Sequence, residues 1–291
     1  MRLVCTLCLL AALGLPSLAH SQGALEPAAP PGPVMKTLDQ VEPRTPISAP
    51  GTISDEGSYY LTQDIAGRIV ISADNVDLDL NGFSVRAGTA ASSSINASGH
   101  DNLSIHGGTI LPGTSSTVAI TQSSGILLRD LRVLNSPGNG ILISGPTGSV
   151  TIEDVRVESS GANGVRILML GAENVEVVFR NNTVIDSGST AVAIAHAGTG
   201  RLFASVTGNR VFDGQTNGLY VSAEGGGPSG GAVTNNLVSG IATNGLWVQG
   251  AFLTTRNLAQ DNGTNYNFST ATNAAPVGTL GSAGPWDNIA P

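Results

Sequence analysis

Apolar and polar residues alternate in short stretches along most of this 291-residue chain. In an extended segment, two apolar side chains then lie on one side and the side chain between them lies on the other. Examples are Val165-Arg-Ile167, Leu219-Tyr-Val221 and Leu246-Trp-Val248. Such alternation in β-branched and aliphatic residues, bounded by Asn, Gly and Ser, predicts short β-strands. Helical repeats would instead show apolar spacings of three and four residues and would be richer in helix formers.

Between positions 150 and 249 these stretches recur with a constant period, the interval that separates Ile152 from Phe179. Four apolar columns stay in register over four copies: Ile152, Phe179, Val206 and Val233; Val157, Val184, Val211 and Val238; Val165, Val192, Leu219 and Leu246; Ile167, Ile194, Val221 and Val248. One copy is too small to have a core of its own, so neighbouring copies must share one. We therefore predict an all-β, parallel β-helix of about eight coils, which start at 69, 95, 118, 141, 165, 192, 219 and 246.

Polar residues follow the same period. Asn182, Asn209 and Asn236 are separated by one period each, which predicts a ladder of stacked side-chain amides between coils. Asn-Gly pairs at 139, 163, 217 and 244 predict corners of the coil, where Gly would take a positive φ.

The ends of the chain differ from this repeat. Residues 1–21 are typical of a secretory signal peptide, because Arg2 precedes an apolar run that Pro16 ends. That run is too short to span a membrane comfortably, so we expect an exported protein without a membrane span. We expect a Pro/Ala-rich linker at 22–50, an N-terminal cap at 51–68, the β-helix at 69–260 and a C-terminal tail or cap at 261–291.

Composition excludes some partners and sites. The formal net charge of −8 argues against nucleic acid and anionic membrane surfaces as partners. Cys5 and Cys8 are the only cysteines and both lie in the predicted signal peptide. We therefore expect no disulfide and no Cys-ligated metal in the mature protein.

The coils resemble the parallel β-helix repeats of the pectin-lyase-like superfamily, in the pattern Val-x-Ile followed by Asn-Gly-Val-x-Ile. The segments 38–44 (Leu-Asp-Gln-Val-Glu-Pro-Arg), 57–62 (Gly-Ser-Tyr-Tyr-Leu-Thr) and 77–83 (Asp-Leu-Asp-Leu-Asn-Gly-Phe) are similar to the N-terminal signature of exported bacterial β-helix repeat proteins. That group is without assigned activity. The resemblance implies a right-handed helix, the hand that parallel crossovers also favour. The superfamily includes Ca²⁺-dependent lyases, glycoside hydrolases and adhesins, so the fold alone does not select a function.

Acidic residues give weak candidates for catalysis and for metal binding. Asp186 and Asp213 are one coil apart, so their carboxylates could lie about 5 Å from each other and act as a glycosidase pair. Asp77 and Asp79, with Asp101 further on, could bind Ca²⁺; no other cofactor is expected. The plainer interpretation is that the first pair accepts turn hydrogen bonds and that the second set lies on the solvent face of a strand.

The candidate ligand-binding residues are Tyr220, Trp247 and Arg166. Tyr220 and Trp247 are one period apart between inward-facing neighbours, and Arg166 precedes Tyr220 by two coils in the same column. Two stacked, exposed rings would form a flat apolar surface for sugar rings. The alternative is that the loop at 224–231 or the C-terminal tail covers them.

These observations favour an exported, non-catalytic protein that binds polysaccharide or the cell envelope. The alternative is a carbohydrate-active enzyme, a polysaccharide lyase or glycoside hydrolase, acting on an acidic glycan. Lys36 is the only lysine and lies in the predicted linker, so the body lacks a Lys base for lyase chemistry. The passenger domain of a surface adhesin is a third, less favoured, alternative.

Overall fold

The computed structural model describes residues 44–89, 91–269, 273–279 and 281–290. Within these ranges the regular structure consists of β-strands in two parallel sheets, without a helix. No helix that could cross a membrane is therefore found in this part of the chain. The predicted signal peptide at 1–21 and the predicted linker up to residue 43 lie outside the described residues.

The first sheet has ten described strands and receives one strand from each coil. Its strands are Gly51–Ile53, Ile69–Ile71, Ile95–Ser98, Val118–Thr121, Ile141–Ser144, Val165–Met169, Val192–His196, Asn217–Ala223, Asn244–Gln249 and Thr264–Ser269. Each strand pairs in parallel with its counterpart one coil on. The eight middle strands correspond to the eight predicted coils, so the solenoid architecture is confirmed.

The second sheet has twenty described strands, because most coils contribute two segments separated by a short turn. These are Thr45–Ile47, Gly57–Leu61, Ile65–Ala66, Val76–Asp79, Ser84–Arg86, Leu103–Leu111, Ser124–Leu134, Thr147–Glu153, Arg156–Ser160, Val175–Arg180, Thr183–Ser187, Leu202–Thr207, Arg210–Gly214, Ser229–Thr234, Leu237–Ser239, Leu253–Thr255, Leu258–Gln260, Asn273–Ala274, Val277–Gly278 and Asn288–Ile289. Parallel pairing thus extends beyond both ends of the predicted 69–260 range, which leaves fewer unpaired strand edges.

The core is one continuous cluster of apolar side chains, stacked in columns along the axis of the β-helix. All sixteen residues of the four predicted columns are buried, with exposures of 1 % or less. Val192, for example, pairs with Val165 on one side and with Leu219 on the other. Each of these side chains therefore packs against the same position of the neighbouring coils, as the shared core requires.

The predicted amide ladder is confirmed and is longer than expected. Asn182 donates from Nδ2 to Oδ1 of Asn209 at 3.1 Å, and Asn209 donates in the same way to Asn236 at 2.9 Å. The ladder continues through Asn257 to Asn288, each step 2.9 Å. All five side chains are buried, so every amide group takes its partners from adjacent coils and from main-chain carbonyls.

The Asn-Gly pairs at 139 and 163 lie outside the strands as predicted, whereas those at 217 and 244 begin strands. At none of the four is a positive φ the reason for glycine. The glycines of these pairs are absent from the positive-φ set of the described residues. A Cβ at Gly164 would lie 2.3 Å from Val184 Cγ1, and one at Gly218 would lie 2.4 Å from Val238 Cγ1. Close packing therefore excludes a side chain here. The preceding Asn side chains bond between coils, as Asn244 Nδ2 does to Asn217 Oδ1 at 2.9 Å.

Candidate functional site

Tyr220 and Trp247 lie side by side on the outward face of the ten-stranded sheet. They are register partners in adjacent strands, and the flanking Leu219 and Val221 are fully buried. Their ring centroids are 4.9 Å apart, with an interplanar angle of 51°. The pair is therefore in contact and faces outward, but it forms a tilted surface and not the flat one that the sequence suggested.

Both rings are held by polar contacts and remain half-exposed. Trp247 donates from Nε1 to Ser269 Oγ at 3.1 Å, and Tyr220 donates from its hydroxyl group to Glu224. Burial, and then the Glu224 carboxylate, raise the pKa of Tyr220 to about 12. The loop after Tyr220 and the last strand of the sheet thus each touch one ring without covering it.

Arg166 lies in the same outward column, with Ala193 between it and Tyr220. Two strand spacings separate the Arg166 and Tyr220 main chains, about 10 Å. Ala193 has a short side chain and is buried, so the position between Arg166 and Tyr220 in this column carries only a methyl group. Arg166 itself is half-buried, and no ion pair is formed by it within the described ranges.

Asp186 and Asp213 lie on the larger sheet, at the ends of two neighbouring strands. Both have a φ of 56°, in the left-handed region that Asp and Asn tolerate. Ser159 donates to Asp186 Oδ2 at 3.0 Å, and the equivalent position after Asp213 is Gly240, also with a positive φ. Each aspartate is thus a left-handed residue near the end of its strand, Thr183–Ser187 or Arg210–Gly214, on the sheet that does not carry the aromatic pair.

Asp77 and Asp79 do face outward together, and His106 lies between them. The His106 Nε2 atom is 3.1 Å from Asp77 Oδ1, and its Nδ1 atom is 3.7 Å from Asp79 Oδ1. Arg44 binds the other oxygen of Asp79 at 2.8 Å. Asp79 and His106 are register partners on adjacent coils. Their separation in sequence equals the period of the later repeat. That period could therefore have predicted the contact between them.

The partners of the Asp77 carboxylate in this cluster stabilise its charged form. Burial raises the pKa of Asp77, but the hydrogen bond from Ser104, the electrostatic attraction to His106 and the hydrogen bonds from Ser58 and His106 outweigh it and hold that pKa below its ordinary value. Asp101 does not join the cluster, because it lies in the preceding turn and accepts from the Ser124 main-chain N–H at 2.8 Å. In the described part of the chain, no group of three His, Cys, Asp or Glu residues could hold a metal ion.

Comparison with known proteins agrees with this architecture. Residues 66–205 match the family model described as the right handed beta helix region. No curated protein matches the sequence. The prediction of a right-handed parallel β-helix is thereby confirmed.

Two solved structures are similar in fold. The enzymatically active domain of bacteriophage CBA120 tailspike protein 2 has 11 % identity and a TM-score of 0.48, over 80 % of this chain and 45 % of that domain. Pectate lyase Pel9A has 13 % identity and a TM-score of 0.45, over 79 % of this chain and 67 % of the lyase. The chain spans less than half the length of the tailspike domain, and similarity at this level carries no information on activity.

Proposed function

Because this chain is a right-handed parallel β-helix protein, we propose that it binds an acidic polysaccharide on its rigid outer face and does not cleave it. The observation that carries this proposal is the contact of the Tyr220 and Trp247 rings, 4.9 Å apart on an outward, half-exposed face. Aromatic rings offer apolar faces and polar edges to a ligand, and the CH groups of a sugar ring pack on such faces. Arg166 adds a guanidinium group that can pair with a uronate carboxylate.

The tilt of 51° between the rings favours a ligand that bends as it crosses from one ring to the next. A ligand that reaches from Tyr220 to Arg166 would cross the position of Ala193, the register partner of both. Because all these residues lie on strands of one sheet, the surface is preorganised, and binding costs little conformational entropy.

Binding without cleavage is supported by the placement of the acidic residues. Asp186 and Asp213 are left-handed residues near the ends of their strands, on a different sheet from the aromatic pair. Asp77 and Asp79 are engaged by His106 and Arg44. None of these four carboxylates is next to the proposed sugar surface, where a general acid would have to act. The Glu224 carboxylate does lie beside that surface, where it accepts a hydrogen bond from the Tyr220 hydroxyl group.

The test is a glycan array with the chain from residue 44 onward, followed by calorimetry on the best acidic glycan and on its carboxyl-reduced form. Trp247→Ala should weaken binding by roughly 1–3 kcal/mol, the scale of burying a large side chain. Trp286→Ala is the matched control, since Trp286 is 61 % exposed and lies outside the surface. Arg166→Gln should remove the preference for the carboxylated glycan and leave binding of the reduced form unchanged.

Each alternative has a distinct outcome. If Trp247→Ala lowers the melting temperature and leaves affinity untouched, the ring is part of the scaffold and the proposal fails. If the bound glycan is shortened during incubation, the protein is a lyase or hydrolase, and Asp186→Asn and Asp213→Asn variants would show whether that pair is responsible.

Export belongs to the same proposal and rests on residues 1–21 alone. Mass spectrometry of the protein from an expressing bacterium should find a mature chain that begins between His20 and Gln22. Retention of Cys5 in the mature chain would contradict export by signal-peptide cleavage.

A further inference from the structure

A second surface feature lies on the larger sheet and was not suggested by the sequence. An open hollow of about 620 Å³ extends over three consecutive coils. Its lining consists of Gly148, Ser149, Asn174, Val175, Glu176, Arg201 and Phe203. The volume is in the range of small-molecule sites. The Tyr220–Trp247 surface is on the other sheet, so the two features are separate.

Phe203 forms an exposed aromatic wall of this hollow. Its neighbours Leu202 and Ala204 are fully buried, so the ring points outward, and Phe203 is 38 % exposed. The next position in its column is Gly230, where a Cβ would lie 3.6 Å from the ring. Because glycine has no side chain, the following coil does not cover the ring, which remains available to a ligand.

Charged and polar groups surround the ring. The Arg201 guanidinium carbon is 5.6 Å from the ring centroid, and the Arg201 main-chain N–H donates to Asn174 Oδ1 at 3.0 Å. Glu176 is the register partner of Phe203 on the preceding coil. Arg201, Asn174 and Glu176 are all exposed. The hollow therefore presents one positive charge, one negative charge and one amide beside an apolar face.

The charge balance selects the chemistry of the ligand. An anionic group beside both side chains would be attracted by Arg201 and repelled by Glu176, and a cationic group the reverse, so the hollow gives neither a net attraction. A neutral ring that carries hydroxyl groups can donate to the Glu176 carboxylate, accept from the Arg201 guanidinium group and pack its CH groups on Phe203. A pyranose unit has all three features.

We propose that this hollow is a second sugar-binding site, which takes a neutral pyranose unit. Phe203 is the stacking residue, and Glu176 and Arg201 bind the hydroxyl groups. The site differs from the Tyr220–Trp247 surface in sheet, in charge and in ligand, and it does not depend on that surface being functional.

The experiment is saturation-transfer NMR and calorimetry with neutral glucan, mannan and galactan oligosaccharides and with an oligogalacturonate. At least one neutral oligosaccharide should bind. Phe203→Ala should weaken it by about tenfold or more, since the stacking face is lost. Phe212→Ala is the matched control, because Phe212 is a half-exposed phenylalanine elsewhere on the same coil.

Two further variants test the role of Glu176 and the independence of the two surfaces. Glu176→Ala, at an exposed position, should weaken the same ligand, and it replaces Phe203→Ala as the test if that variant unfolds. Trp247→Ala should leave neutral-sugar binding unchanged. Absence of binding to every neutral oligosaccharide, affinity insensitive to Phe203 and Glu176, or preference for the oligogalacturonate in this hollow would each overturn the proposal.

Discussion

The side-chain amide of Asn209 joins three coils, because its Oδ1 accepts from both N and Nδ2 of Asn182 while its Nδ2 donates to Asn236 Oδ1. The same Nδ2 also donates to the Phe179 carbonyl oxygen at 2.9 Å. Removal of this one side chain would take the Oδ1 acceptor from the buried Asn182 main-chain N–H. It would also take a donor from the Phe179 carbonyl oxygen and one from Asn236 Oδ1.

Asn209→Ala should therefore lower the free energy of unfolding by about 2–4 kcal/mol, more than an ordinary polar deletion. Urea unfolding followed by circular dichroism measures the change. Asn96→Ala is the control, since Asn96 points outward and makes one long bond of 3.4 Å to Ala119. Equal effects of the two substitutions would show that the ladder is not a stabilising feature.

Val192→Asp should destabilise the protein by about 4 kcal/mol or more, because Val192 is fully buried and an unpaired carboxylate would be placed in a thin shared core. Ala195→Asp, at a half-exposed outward position of the same strand, should have little effect. The comparison needs only the two melting temperatures. A heat-stable Val192→Asp variant would disprove the register.

Gly164→Ala tests the packing explanation for the corner glycines. The added methyl group would lie 2.3 Å from Val184 Cγ1 and 2.7 Å from the Ala191 carbonyl oxygen, so we expect a loss of about 1–3 kcal/mol. Gly51→Ala adds a methyl group with no atom within 4 Å and should be neutral. If both variants unfold at the same urea concentration as the parent, close packing does not explain these glycines.

Ionisation of Tyr266 should lower the free energy of unfolding at alkaline pH. Burial raises its pKa to about 12 from 10.0, and its hydroxyl group lies 2.7 Å from the Ile289 carbonyl oxygen. The folded state therefore favours the neutral phenol, and this contribution is complete below pH 10 and is lost as pH rises through 12. Urea unfolding at pH 8, 10 and 11.5 should show a shallower decline for Tyr266→Phe than for the parent. Parallel curves would contradict the assignment.

The sequence predicted the inward half of the coil better than the outward half. An apolar residue recurs at the position of Val165, Val192 and Leu219, because each of these side chains packs on the same position of the neighbouring coil. This recurrence made the period visible in the sequence. The ladder residues Asn257 and Asn288 were missed, because the spacing changes from 27 residues to 21 and then 31. The stacked amides remain aligned, since insertions and deletions fall in the other turns.

The outward positions follow no such constraint. Phe203 lies in a column with Ser149, Glu176 and Gly230, four unlike residues whose sequence gives no period. The 51° tilt of Tyr220 against Trp247 depends on side-chain torsions that neighbouring groups such as Ser269 fix. Residues that touch a ligand are therefore the ones that alternation alone could not identify.

The repeated register also makes the length of this protein modular. Excision of residues 192–218, one whole period, would bring Leu219 beside Val165 and Asn236 beside Asn182, in the pairings that each now makes with the removed coil. Such a shortened chain should still unfold in one cooperative transition, whereas a chain that lacks only 192–211, a fraction of a period, should not fold. Whole coils could thus be gained or lost by recombination at little structural cost, and each event would change the outward surface while the core stayed the same.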